Sequence, residues 1–114
     1  MIEKTILDYL GEHLSVPVYM EEPINKPASY VLIERTGSSE TNMIETTTLA
    51  LQSYGASLYD AAVLNMAVKA QIKQAKVELP SVSAVYINSD YDFTDTETKR
   101  YRYQCVAVVT HFER

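Results

Sequence analysis

The chain has 114 residues and a formal charge of −5 at pH 7, from 10 Lys and Arg against 15 Asp and Glu. Its length predicts a single domain spanning residues 1–114 that buries a core without metals or disulfides, and 46% hydrophobic against 22% charged residues excludes a disordered chain. The acidic balance opposes general nucleic-acid binding, the single cysteine excludes an intrachain disulfide, and neither a membrane-length apolar run nor a secretory signal is visible, so a soluble, cytoplasmic-type protein is expected.

Residues 2–14 read as a helix, because Ile2, Ile6, Leu7, Leu10 and Leu14 recur at helical spacing. Pro17 stops it, and Val16 to Tyr19 reads as a short extended piece. Pro23, Asn25 and Pro27 mark a loop, and Tyr30 to Thr36 is a nearly continuous β-forming run. The polar stretch Gly37 to Asn42 breaks that strand and is longer than a tight two-residue hairpin needs, which predicts a mobile or partner-ordered tip. Met43 to Tyr54 is a strand again: three consecutive threonines restrict χ1 and suit a pleated surface. Neither of its faces is cleanly polar, so cover on both sides in the working assembly is expected.

Ser57 followed by Asp60 resembles a capping box and opens a helix over residues 57–76. Leu58, Ala61, Leu64, Val68, Ile72 and Ala75 form its core stripe, while Ala62, Met66 and Ala70 widen the apolar surface beyond what one packed side needs. Lys69, Lys73 and Lys76 complement the macrodipole, and Pro80 ends the helix. Val82 to Ile87 is a strand, Asn88 to Thr98 a polar acidic loop, and Lys99 to Phe112 a long final strand. The order α-β-β-β-α-β-β predicts an α+β domain, a mostly antiparallel sheet packed against two helices.

Chemistry-bearing residues are sparse. His13 and His111 have no second His or Cys at metal-ligand spacing and read as a surface and a terminal-strand histidine. Cys105 lies mid-strand among apolar neighbours and reads as a buried structural thiol. Asp90, Asp92 and Asp95 are spaced like a calcium loop, but the glycine at position six is missing and Tyr101 stands where the closing glutamate would be. Glu97-Thr98-Lys99 matches the Glu-x-Lys of metal-dependent nucleases, yet that triplet belongs on the strand before the second helix, and residues 43–54 contain no lysine. No phosphate loop or nucleophile elbow is present. No catalytic, cofactor-binding or metal-binding residue is assigned.

Tyrosine is overrepresented, with 9 Tyr against 2 Phe and no Trp. Tyr is amphipathic and enriched at protein interfaces. Tyr101 and Tyr103 would project from one strand face, flanked by Arg100 and Arg102. The subunit-interface candidates are Tyr54, Tyr59, Met66, Tyr101 and Tyr103.

The ordered series of segments resembles the tail-terminator (tail-completion) proteins of long-tailed bacteriophages and prophages. The segments are the N-terminal helix, Val18-Tyr19, the proline-bearing loop into Pro27-Ala28-Ser29-Tyr30-Val31, the strand ending Leu51-Gln52-Ser53-Tyr54-Gly55, the helix from Ser57-Leu58-Tyr59-Asp60, then Tyr91-Asp92 and Lys99-Arg100-Tyr101-Arg102-Tyr103. Tyr54 departs from the pattern, standing where these proteins often carry tryptophan. The resemblance implies a non-enzymatic structural protein of the virion tail or neck, assembled in the host cytoplasm. Six copies would form a ring that caps the tail tube protein, ends polymerisation and meets a head-side connector protein, with DNA passing the bore without specific binding. No cofactor and no membrane are implied. Another head–tail connector or neck protein is the near alternative, and a small metal-dependent nuclease or a small-ligand binding module are the alternatives of another class.

Overall fold

The computed structural model describes residues 1–112. Its elements run α1 (Ile2–His13), β1 (Val18–Tyr19), β2 (Tyr30–Thr41), β3 (Ile44–Tyr54), α2 (Leu58–Glu78), β4 (Val82–Asp92) and β5 (Arg102–Phe112). This is the expected α+β order. The strands form one sheet, β1-β2-β3-β5-β4, antiparallel except for the short parallel β1–β2 pair.

Both helices pack on one face of that sheet. The α1 residues Ile2, Ile6, Tyr9 and Leu10 fall on one buried stripe, and they meet Val31, Ile33, Leu49 and Leu51 of the sheet together with Val68, Ile72 and Ala75 of α2. The Tyr9 hydroxyl satisfies itself 2.9 Å from both the Gln71 carbonyl and the Glu78 carboxylate, which ties the two helices. α2 begins as the sequence predicts: the Ser57 hydroxyl accepts the Asp60 N–H at 3.1 Å. Gly55 is required just before it, because a Cβ there would lie 2.5 Å from the Ala61 nitrogen. The accessible surface is 6523 Å², close to the ~6,300 Å² that a compact chain of this mass presents.

Four expectations need correction. Residues 37–41 do not break β2: Ser38 and Ser39 pair with Thr47 and Thr46 of β3, and the turn is a tight one at Asn42 and Met43, with φ of 52° and 68°. Positive φ at both central residues is the hairpin geometry that follows the twist of the strands. β4 likewise runs on to Asp92, because β5 pairs with it throughout, and an irregularity between Ile87 and Ser89 absorbs Asn88. β5 starts at Arg102, leaving residues 99–101 outside it. Leu58 is exposed rather than in the core stripe, and buried Asn65 joins that stripe instead.

Within the protomer the helices cover one side of the sheet. Leu32, Ala50, Gln52, Val106 and Val108 alternate onto the second face of the sheet, and among the described residues no helix packs there.

Candidate functional site: assembly surfaces

The first surface is the outward side of α2. At 100° per residue, the buried residues Ala61, Asn65, Val68, Ile72 and Ala75 occupy one side. Tyr59, Val63, Met66, Ala70 and Val77 follow one another at spacings of four, three, four and seven, so they line the opposite side. All five are exposed, Tyr59 to 77%, Met66 to 66% and Val77 to 73%. A helix apolar on two opposed sides is the pattern of a helix covered on both. At its N-terminal end the stripe borders a groove of about 310 Å³ lined by Val16, Tyr59, Val63, Leu64 and Ala67 together with Ser15, Ser29 and Asp60.

The second surface is the end of the sheet where β2 begins and β3 ends. Tyr30 and Tyr54 are cross-strand partners; their rings stack at 4.5 Å with 9° between planes, and Tyr19 meets Tyr30 edge-on. Arg100 lies 4.7 Å over the Tyr54 ring, donates to Glu22 at 2.6 Å, and donates to the Tyr30 hydroxyl, which in turn donates to Glu22. Arg102 donates to the Tyr54 hydroxyl at 2.9 Å and to the Phe93 carbonyl at 2.7 Å, and stands 4.4 Å over the Phe93 ring. Burial pushes the Glu22 carboxyl up, but hydrogen bonds from Tyr30 and Arg100 hold it below its ordinary value. Burial and the hydrogen bond to Glu22 drive the Tyr30 phenol well above its ordinary value. The network pins the proline-bearing loop and the segment after β4 onto the sheet. Beside it lies a cavity of about 220 Å³ lined by Lys26, Tyr30, Tyr54, Lys99, Arg100 and Tyr101, with Pro27, Ala28, Gly55 and Ala56.

The interface candidates therefore divide. Tyr59 and Met66 sit on the α2 stripe. Tyr54, only 4% exposed, packs inside the protomer under two guanidinium groups and borders the cavity. Tyr101 lines the cavity, and its carbonyl accepts the Gly55 N–H at 3.1 Å. Tyr103 is half-buried between Ser53 and Asp92 and lies on neither surface. Val63, Val77, Lys26 and Glu22 were not singled out in the sequence. The first two were legible in the helical spacing; the others gather only through the fold.

The remaining chemistry-bearing residues have structural partners. Cys105 is fully buried, and burial pushes its thiol up to about 11, with the Asp90 charge adding to the rise. Asp90 accepts from Asn65 at 2.6 Å and pairs with Lys69. Burial raises its carboxyl, yet the hydrogen bonds from Lys69 and Asn65 hold it below the usual value. Asp92 accepts the Thr94 N–H at 2.9 Å and Asp95 the Glu97 N–H at 3.0 Å, so this acidic run builds turns. Among the described residues no three His, Cys, Asp or Glu side chains group to hold a metal. Glu97 and Lys99 lie in the turn closed by the Asp95–Arg100 bridge and not on the strand before α2. His13 packs on Tyr9 and lies 3.5 Å from Glu78. Buried His111 meets the Thr47 hydroxyl at 2.8 Å. No described helix is long and apolar enough to cross a membrane.

No protein-family model matches this chain, and no curated protein sequence matches it significantly.

Proposed function

We propose that this protein is a structural subunit that assembles with copies of itself into a ring of the phage tail-terminator type. The observation that carries the reading is α2, whose inner side completes the core while Tyr59, Val63, Met66, Ala70 and Val77 form an apolar stripe on its outer side. The sheet adds half-buried Leu32 and Val106 on a face that no described helix covers. Both surfaces suit subunit contacts, since interface cores are depleted of charge and enriched in aromatic residues and Met. A closed ring needs two different patches on each copy.

On this reading the protein acts by geometry and makes or breaks no covalent bond. The ring sits on the last layer of the tail tube, stops its growth and offers the head-side connector a surface. A subunit of net charge −5 lets DNA slide past, because like charges repel.

The test is native mass spectrometry with negative-stain microscopy, on the protein alone and mixed with tubes of a phage tail tube protein. A six-fold ring, or tubes capped at one end, is the expected result. A protein that stays monomeric alone and leaves the tubes uncapped overturns the proposal.

A further inference from the structure

We propose that the cationic cavity beside Tyr54 is a socket for carboxylates, and that its occupant is the β2–β3 hairpin tip of a second copy of this chain. The inference rests on the ring reading and supplies the contact that sets its direction.

The socket is a basic site on an acidic protein. Lys26, Lys99 and Arg100 surround one cavity of about 220 Å³. Beside it, Arg100 and Tyr30 already hold one carboxylate, that of Glu22. Lys26 and Lys99 are exposed and have no salt-bridge partner among the described residues. Arg100 is fixed in place by its stack on Tyr54. The cation is therefore held in position before anything binds, which lowers the ordering cost of recognising an anion.

The opposite end of the same sheet carries the complement. Glu40 and Glu45 stand directly across from each other on β2 and β3, an arrangement of like charges that destabilises a strand pair. Arg35 lies 3.7 Å from Glu45 but also donates to Glu3 at 2.8 Å, so one guanidinium serves both carboxylates. Met43 protrudes at the turn, 75% exposed, with exposed Ile44 and Phe112 paired behind it. An external cation would relieve the Glu40–Glu45 conflict, and the cavity supplies cations.

Socket and tip are separated by the length of β3, Ile44 to Tyr54, or ~34 Å. The molecule is 44 Å long. Two unlike, complementary patches at opposite ends of a protomer give a head-to-tail contact, the type that closes into rings.

Charge reversal tests this. K26E/K99E changes two exposed side chains and leaves the Tyr30–Tyr54–Arg100 stack in place; E40K changes the exposed tip. Each variant is expected to raise the concentration for half-assembly ~10-fold or more, with circular dichroism and melting like the parent. An equimolar mixture of the two should form rings of alternating variants, because each intact tip meets an intact socket and each reversed tip a reversed socket. Combining all three changes in one chain should bring rings back toward the parental concentration. If K26Q/K99Q, K26E/K99E and E40K all form rings at the parental concentration, the socket is refuted while the ring reading stands. If the parent is monomeric at every concentration, with and without tubes, both fall. Binding of a short DNA duplex or inorganic phosphate that K26E/K99E abolishes, with assembly untouched, reassigns the cavity to phosphate and overturns the inference.

Discussion

Replacing Met66 by glutamate is expected to abolish assembly and spare the fold. Met66 is 66% exposed in the protomer, so a subunit contact still has about two-thirds of the side chain to cover. Full burial of a methionine stabilises by ~1.5–3 kcal/mol, and two-thirds of that is ~1–2 kcal/mol. Met66→Ala should therefore weaken each contact by about five- to thirty-fold. Met66→Glu adds the cost of desolvating a charge, a further few kcal/mol, and the loss recurs at every interface of a ring. Protomer stability should change by no more than ~0.5 kcal/mol, as at other surface positions. With an unfolding entropy of about 2.1 cal/mol/K per residue over 114 residues, that moves Tm by ~2 °C. Mass is read by size exclusion with light scattering, and Tm by calorimetry at a dilution where the parent is monomeric, since assembly itself raises Tm. A glutamate variant that still forms rings removes the α2 stripe from the interface. A fall of ~10 °C in the monomer would instead place Met66 in the core.

Gly55→Ala puts a Cβ 2.5 Å from the Ala61 nitrogen and 2.9 Å from the Asp60 carbonyl carbon. These are backbone atoms that cannot rotate away, so a loss of ~1–3 kcal/mol should appear as a lower urea midpoint at unchanged slope. Asp90 should make stability acid-sensitive: its folded carboxyl is held below the ordinary value, so its contribution is present above the unfolded pKa of about 3.9 and is lost as pH falls through the depressed folded one. Urea midpoints taken between about pH 6 and 2 should fall more steeply for the parent than for Asp90→Asn; parallel curves would refute the assignment. Cys105 should ignore a water-soluble disulfide reagent at mildly alkaline pH in the native protein, because the thiol is fully buried and pushed up to about 11. It should react at once in denaturant; fast native labelling would show that the core opens there.

Helices were the most legible part of the sequence, since a stripe repeating at 3.6 residues needs no knowledge of its partner. The Ser57 cap was legible for the same local reason. Strand ends were not: Ser38 and Ser39 look like loop, but Thr46 and Thr47 give them a ladder to join, and a strand's extent is decided by the strand beside it. One irregularity at Asn88 also changes which side each later residue of β4 faces, bringing Asp90 to Asn65 and Lys69. That is why Asn65 reads as an error in an apolar stripe and is instead a buried partner.

The aromatic excess was visible, but its destination was not. Composition cannot say that Tyr54 will stack on Tyr30 and lie under an arginine from a segment that returns 46 residues later in the chain. The structure uses Tyr54 inside the protomer and thereby narrows the problem. Buried Ile6, Leu10, Ile33, Leu49, Leu51 and Ile72 close a core to which Tyr59, Met66 and Val77 add nothing. The total surface is already that of a compact chain of this mass. Apolar side chains repeated along the solvent side of a well-capped helix contribute little to folding one copy. Their stabilisation is realised when another surface removes them from water, and the opposed charges at the two ends of the sheet give that second surface a direction.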